Sequence, residues 1–129
     1  MVVPGFIAQA LNNEPLTVYE DGQQTRTFTD VKDVVQAFVA LINTEKSFGQ
    51  LFNIGGVEEI AIIDLANKMI TLTDSKSEIV LVPYEEAFEA DFEDMLRRVP
   101  STEKANRLLG FKPNGDLDAI LKRIIASAS

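Results

Sequence analysis

Apolar positions recur along this chain in two periods. Val31, Val34, Val35, Phe38, Val39 and Leu41-Ile42 fall at helical spacing. Asp30 stands before them as an N-cap, with Asp33 three residues on, so a helix is predicted to about Asn43. Ile62, Leu65, Ala66, Met69 and Ile70 predict a second amphipathic helix to about Thr73, with Ala61 where a capping Ser or Thr would be preferred. Phe6, Ile7, Ala10 and Leu11 make one stripe of a short helix over Pro4–Leu11, with Pro in its first turn. Towards the C-terminus, Ser101 caps a short helix that Gly110 ends in the left-handed conformation. Asp116 caps the last helix, whose stripe is Leu117, Ile120, Leu121, Ile124 and Ile125.

Between the helices lie short β-branched runs. Leu16–Tyr19 alternates and reads as a strand, followed by the turn Glu20-Asp21-Gly22. Leu51–Ile54 (LFNI) is a short, largely apolar run closed by Gly55-Gly56, which predicts a parallel strand buried on both faces. Glu78–Pro83 is the third strand. The order helix, strand, helix, strand, helix, strand, helix, helix predicts an α/β fold of about three short strands and about five helices, in one domain over residues 1–129. The acidic segment between Tyr84 and Pro100 has little pattern before Arg97-Arg98, and its run over 85–94 reads as a solvated face.

Composition narrows the chemistry. The chain has no Cys and no His, which removes thiolate catalysis, thiolate metal sites and the commonest general base. A net charge of −8 argues against nucleic acid. No apolar run approaches a membrane span, and the N-terminal stretch does not read as a signal peptide. Neither a GxGxxG fingerprint nor a P-loop is present, and Gly55-Gly56 ends a strand without continuing such a motif. Arg26 follows a Gly-containing turn and precedes a helix N-terminus, a setting that favours an anion. It can equally pair with Asp21 or Asp30 at the surface. Arg97-Arg98 has the same two readings: neighbouring carboxylates, or a second guanidinium for a phosphate.

Several stretches match a family in order. LTVYEDGQQTRTFTDVKDVVQAF resembles the TVYGDGxQTRxFxYVDDVV stretch of the extended short-chain dehydrogenase/reductases that act on nucleotide sugars. FIAQALNNEPL resembles FVxQALxGEPL before it, LFNIGG resembles FNIGN, and EEIAIIDLANKMITLTDSKSEIVLVPYEEAF resembles EEISILELA…LTGSKSEIVFxPY. RRVPSTEKANRLLGFKP resembles RRxPDxSKAxxLLGWxP. The group includes 4-epimerases, 4,6-dehydratases and UDP-glucuronate decarboxylases. The chain departs from the pattern at Glu20 (usually Gly), Thr29 (aromatic), Lys32 (acidic), Ala61 (Ser) and Ser101 (Asp).

The resemblance implies that this is the C-terminal, substrate-binding portion of such an enzyme, with the NAD-binding Rossmann domain and the Tyr-x-x-x-Lys pair upstream. Tyr19 and Tyr84 are the only tyrosines, and Gln23 and Phe88 stand four residues after them. It implies that Arg26 reaches a nucleotide-sugar diphosphate, with Arg98 the second arginine and Arg97 its alternative, and that Tyr19 and Gln24 line the same loop. Leu51–Ile54 would belong to an incomplete Rossmann sheet. The expected partners are a nucleotide sugar, the N-terminal half and further copies of the chain, with NAD in the full-length enzyme and none bound here. The expected compartment is the cytoplasm. Two other classes stay open: a stand-alone sugar-nucleotide-binding or regulatory module, and a structural or interaction domain whose arginines make surface ion pairs.

Overall fold

Residues 1–87 and 95–129 are described by the structure, a computed structural model. The sequence reading of 88–94 lies outside them. In chain order the elements are α1 (Val2–Leu11), β1 (Leu16–Tyr19), β2 (Thr25–Thr27), α2 (Val31–Asn43), a 3-10 turn (Glu45–Ser47), β3 (Glu59–Ala61), α3 (Ile62–Thr73), β4 (Ile79–Val82), α4 (Tyr84–Ala87), β5 (Arg97–Arg98), α5 (Glu103–Leu109) and α6 (Leu117–Ala128). The class is α/β, as the alternation predicts. β1 and β4 pair in parallel with Leu16 opposite Ile79 and Tyr19 opposite Val82. β2, β3 and β5 form a second sheet in the order β3-β2-β5.

The chain divides into two compact units. The first holds residues 1–26, 60–97 and 121–129. Its core is the stripe of α1 (Phe6, Ile7, Ala10), the inward positions of β1 (Leu16, Val18), the stripe of α3 (Ile62, Leu65, Ala66, Met69) and Leu121, all buried. Period-two alternation puts Leu16 and Val18 on one face of β1, while Thr17 receives and returns hydrogen bonds with the Gln9 amide of α1. A serine-rich corner ties the ends of α1 and α3 together: Ser75 Oγ donates to Ala10 O at 2.7 Å, and Lys76 N donates to Asn13 Oδ1 at 2.9 Å.

The second unit holds residues 27–59 and 98–120. Asp30 caps α2 as predicted, its side chain accepting from Lys32 N. The amphipathic face of α2 behaves differently from the usual rule that an apolar stripe turns to a core. Its buried residues are Asp33 and Ala37, whereas Val31, Val35, Phe38, Val39 and Ile42 are exposed. Asp33 is buried because Oδ2 accepts from Asn114 N (3.1 Å) and Gly115 N (2.9 Å), which satisfies the carboxylate. Ala37 packs with Ala105 and Phe111, flanked by Phe52, Ile54 and Leu109.

Three sequence expectations are corrected. Leu51–Ile54 is not a strand; residues 51–58 carry no ladder, and the nearby strand is β3. Nor is the run buried on both faces, for Leu51 is 85% exposed while Phe52 and Ile54 turn inward. Apolar content reports burial, but a strand also needs a hydrogen-bonded neighbour in register. The short helix α5 is capped by Thr102 rather than Ser101, and without a side-chain bond. The expected count of three strands is too low among the described residues, because β2, β3 and β5 are two- or three-residue segments too brief to show a period. Gly110 does end α5 in the left-handed conformation, at φ 65°. Among the described residues no helix is long and apolar enough to cross a membrane.

Candidate functional site

The QTR stretch lies on a loop built from its own backbone. Gly22 sits at φ 70°, the left-handed region, where a Cβ would meet Val18 Cγ1 at 2.7 Å and Ile63 Cβ at 2.8 Å. Asp21 Oδ1 accepts from Gln23 N at 2.9 Å, fixing the turn by a side chain that mimics a backbone carbonyl. The carbonyls of Gly22 and Gln24 then accept from Ile63 N (2.9 Å) and Ile62 N (3.0 Å), the first amides of α3. This explains why α3 begins at Ala61 without a side-chain cap: the loop supplies the acceptors that Ser or Thr would have given.

Gln24 is buried, and its amide is spent within the unit. Nε2 donates to Tyr19 O (3.3 Å) and to Tyr84 Oη (3.4 Å). The rings of Tyr19 and Tyr84 stack with centroids 5.9 Å apart and planes inclined by 26°, within the favourable range for offset aromatic pairs. Glu20 completes the group. Its backbone is left-handed at φ 52°, which accounts for the glycine in the family pattern. Its Oε1 accepts from Tyr84 N at 2.6 Å, holding the start of α4. The sequence marks Glu20 only as a departure from the Gly of the pattern, and Tyr84 only as lacking a Lys four residues on. The sequence spacing of neither reveals that they meet, since they are 64 residues apart.

Arg26 is half-buried on β2, in the same unit as Tyr19 and Gln24, and its Nη1 donates to Thr25 O at 2.7 Å. Arg97 and Arg98 are both exposed on β5, and Arg98 belongs to the second unit. The structure therefore joins Tyr19 to Gln24, adds Tyr84 and Glu20 to them, and places Arg26 two residues along the same strand-forming segment. These groups are aromatic, amide and guanidinium: they suit the recognition of a flat ring and an anion by stacking and hydrogen bonds.

The remaining glycine candidate is structural. A Cβ at Gly55 would lie 2.5 Å from Pro100 Cγ, and one at Gly56 would collide with Phe28 O, while Gly56 N donates to Thr29 Oγ1 at 2.7 Å. The pair lets backbone segments of the second unit close on each other, and the space against it is filled. The residues present do not fit a dinucleotide phosphate there. Among the described residues no cluster of three metal-ligating side chains occurs.

Residues 1–124 match the family model described as GDP-mannose 4,6 dehydratase. The chain is 40% identical over 124 residues to the UDP-N-acetyl-alpha-D-glucosaminuronate decarboxylase of Bacillus cytotoxicus, covering 96% of this chain and 38% of that protein. It is 40% identical over 124 residues to UDP-glucuronic acid decarboxylase 1 of Danio rerio, covering 28% of it. The crystal structure of UDP-glucuronic acid 4-epimerase from Bacillus cereus, in complex with UDP-glucuronic acid and NAD, superposes with a TM-score of 0.85 at 26% identity, over 100% of this chain and 40% of that one. The chain thus spans well under half the length of these relatives. With the family model matched over nearly its whole length, the chain belongs to the GDP-mannose 4,6 dehydratase family.

Proposed function

We propose that this chain is the nucleotide-sugar-binding portion of an NAD-dependent enzyme that acts on a UDP-hexuronate, of the decarboxylase or 4-epimerase type. The observation that carries the reading is the loop of Tyr19, Gln24 and Arg26, locked by Tyr84 and Glu20, on a chain 40% identical to two enzymes named for UDP-uronates. In this reading Arg26 binds the diphosphate through its planar guanidinium, whose fork matches two phosphate oxygens. Tyr19 and Gln24 shape the wall that receives the nucleotide. The chain binds and orients; turnover belongs to a longer polypeptide that also brings the NAD-binding part, since Gly55-Gly56 does not offer that cradle.

Calorimetry with the 129-residue chain tests this. UDP-glucuronate is expected to bind, UMP more weakly, and Arg26→Ala to lose most of the diphosphate-dependent difference with no change in melting temperature. Equal binding of UMP and UDP-glucuronate, or an Arg26→Ala protein with unchanged affinity, would overturn the assignment. Release of CO2 or conversion of UDP-glucuronate by the chain alone would overturn the claim that it only binds.

A further inference from the structure

The parallel pairing of β1 with β4 ends on a side chain. Leu16 N donates to Glu78 O and Glu20 N donates to Val82 O, each at 2.8 Å. A parallel ladder in this register continues with Tyr84 N directed at Glu20. Glu20, however, turns into the left-handed region at φ 52°, where the chain leaves the strand for the turn over Asp21 and Gly22. The acceptor that Tyr84 N meets is the Glu20 carboxylate, with Oε1 at 2.6 Å. One residue thus grips the end of β4 twice, through its own N–H to Val82 and through its side chain to Tyr84. A glycine at this position could make only the first contact. The second matters because of what Tyr84 carries. Its ring stacks on Tyr19, and its Oη accepts from Gln24 Nε2. The Glu20 bond fixes the main chain from which that ring projects, at the start of a four-residue helix too short to hold itself.

We propose that Glu20 is a positioning residue for nucleotide-sugar binding: through Tyr84 it sets the Tyr19–Tyr84 stack and the Gln24 amide before the ligand arrives. The inference rests on the binding reading given above, in which Tyr19 and Gln24 shape the wall that receives the nucleotide, and it makes Tyr84 a third member of that wall. Order established before binding raises affinity, because the side chains need not be immobilised in the binding step itself. Charge makes the role decidable. Taking a carboxylate off a loop that receives an anion tightens binding on electrostatic grounds alone. Taking away a positioning group weakens it. The two effects have opposite signs at this one residue, and a variant that keeps the acceptor while losing the charge separates them.

Calorimetry with UDP-glucuronate and near-UV circular dichroism, both on the full chain, are the test. Glu20→Gly is expected to bind about 10-fold more weakly than the parent, the scale of one lost hydrogen bond to a charged group. Its melting temperature should not fall, because glycine relaxes the left-handed backbone at this position. Its tyrosine near-UV band should drop, with no Trp in the chain to mask the change. Glu20→Gln keeps an acceptor at the same reach without the charge, so it should bind at least as tightly as the parent. Tyr84→Ala should weaken binding at least as much as Glu20→Gly, and the double variant should lose nothing beyond Tyr84→Ala, as for residues acting through one contact. A Glu20→Gly protein that binds as well as the parent, or that keeps the near-UV band, overturns the inference and leaves the binding reading standing. So does a double variant whose losses add, or a Glu20→Gln protein as weak as Glu20→Gly. A parent chain that binds no UDP-glucuronate overturns both.

Discussion

Three glycine-to-alanine substitutions separate the forces acting at glycine positions of this fold. At Gly22 a methyl group meets two penalties. The backbone is left-handed at φ 70°, which costs a residue with a Cβ about 1–2 kcal/mol. The added Cβ also lies 2.7 Å from Val18 Cγ1 and 2.8 Å from Ile63 Cβ, with Ile63 N at 3.2 Å. Val18 is fully buried and Ile63 N is committed to Gly22 O, so neither neighbour can yield cheaply. Overpacking of this kind costs about 1–3 kcal/mol. The sum, about 2–5 kcal/mol, is a large part of the stability of a small domain and corresponds to a fall in Tm on the order of 10 °C. Gly49 is also left-handed, at φ 73°, but nothing lies within 4 Å of its Cβ position. Gly49→Ala should therefore show the strain alone, about 1–2 kcal/mol. Gly5 is helical, exposed and open, so Gly5→Ala should stabilise by about 0.5–1 kcal/mol. Urea titrations followed by circular dichroism give the three values. If Gly22→Ala costs no more than Gly49→Ala, the close packing of the loop on β1 and α3 is wrong.

Further outcomes follow from single contacts. Asp33→Ala should cost about 1–3 kcal/mol in urea titration, because two part-buried amides lose a charged acceptor; Asp33→Asn keeps one oxygen and should recover at least half of that loss. Gln24→Leu leaves the Tyr19 and Tyr84 groups without their shared donor and should cost about 1–3 kcal/mol; the chain has no Trp and two Tyr, so near-UV circular dichroism should report the disturbed stack directly. Lys104 donates to Leu51 O at 2.9 Å and lies 4.8 Å from the Phe52 ring centre, so Lys104→Ala should destabilise by about 0.5–1 kcal/mol and raise hydrogen exchange at 51–54.

Elements with a complete local signature were legible in the sequence. α2 has a capping Asp and four turns of period, and it ends at Asn43 as predicted. α5 ends at Gly110 because only a left-handed residue closes that turn without strain. β1 and β4 combine alternation with β-branching, and both form. What the sequence could not carry was the partner of each face. The run Leu51–Ile54 has the composition of a buried strand, but strand formation is a property of two segments, and these residues have no ladder. The stripe of α2 announces an apolar contact without naming what makes it. The buried side of the same helix is set instead by Asp33, an acid, through two loop amides 81 and 82 residues away.

The site divides in the same way. Arg26 was marked by its setting, and Tyr19 and Gln24 by the motif. The residues that fix them were not, because their contacts cross the sequence: Tyr84 reaches Gln24 and Tyr19 from 60 residues away or more. Glu20 shows why a departure from a motif has to be read in three dimensions. In the sequence it is only a carboxylate where the pattern has Gly. Its φ of 52° and its bond to Tyr84 N give it a different part. The carboxylate is engaged by an amide of α4, which offsets the strain of a Cβ at a glycine position and orients Tyr84 to stack on Tyr19. A glycine there would relieve the backbone but release the aromatic pair. The substitution thus exchanges backbone ease for a held tyrosine, and it does so on the loop that carries Gln24 and Arg26.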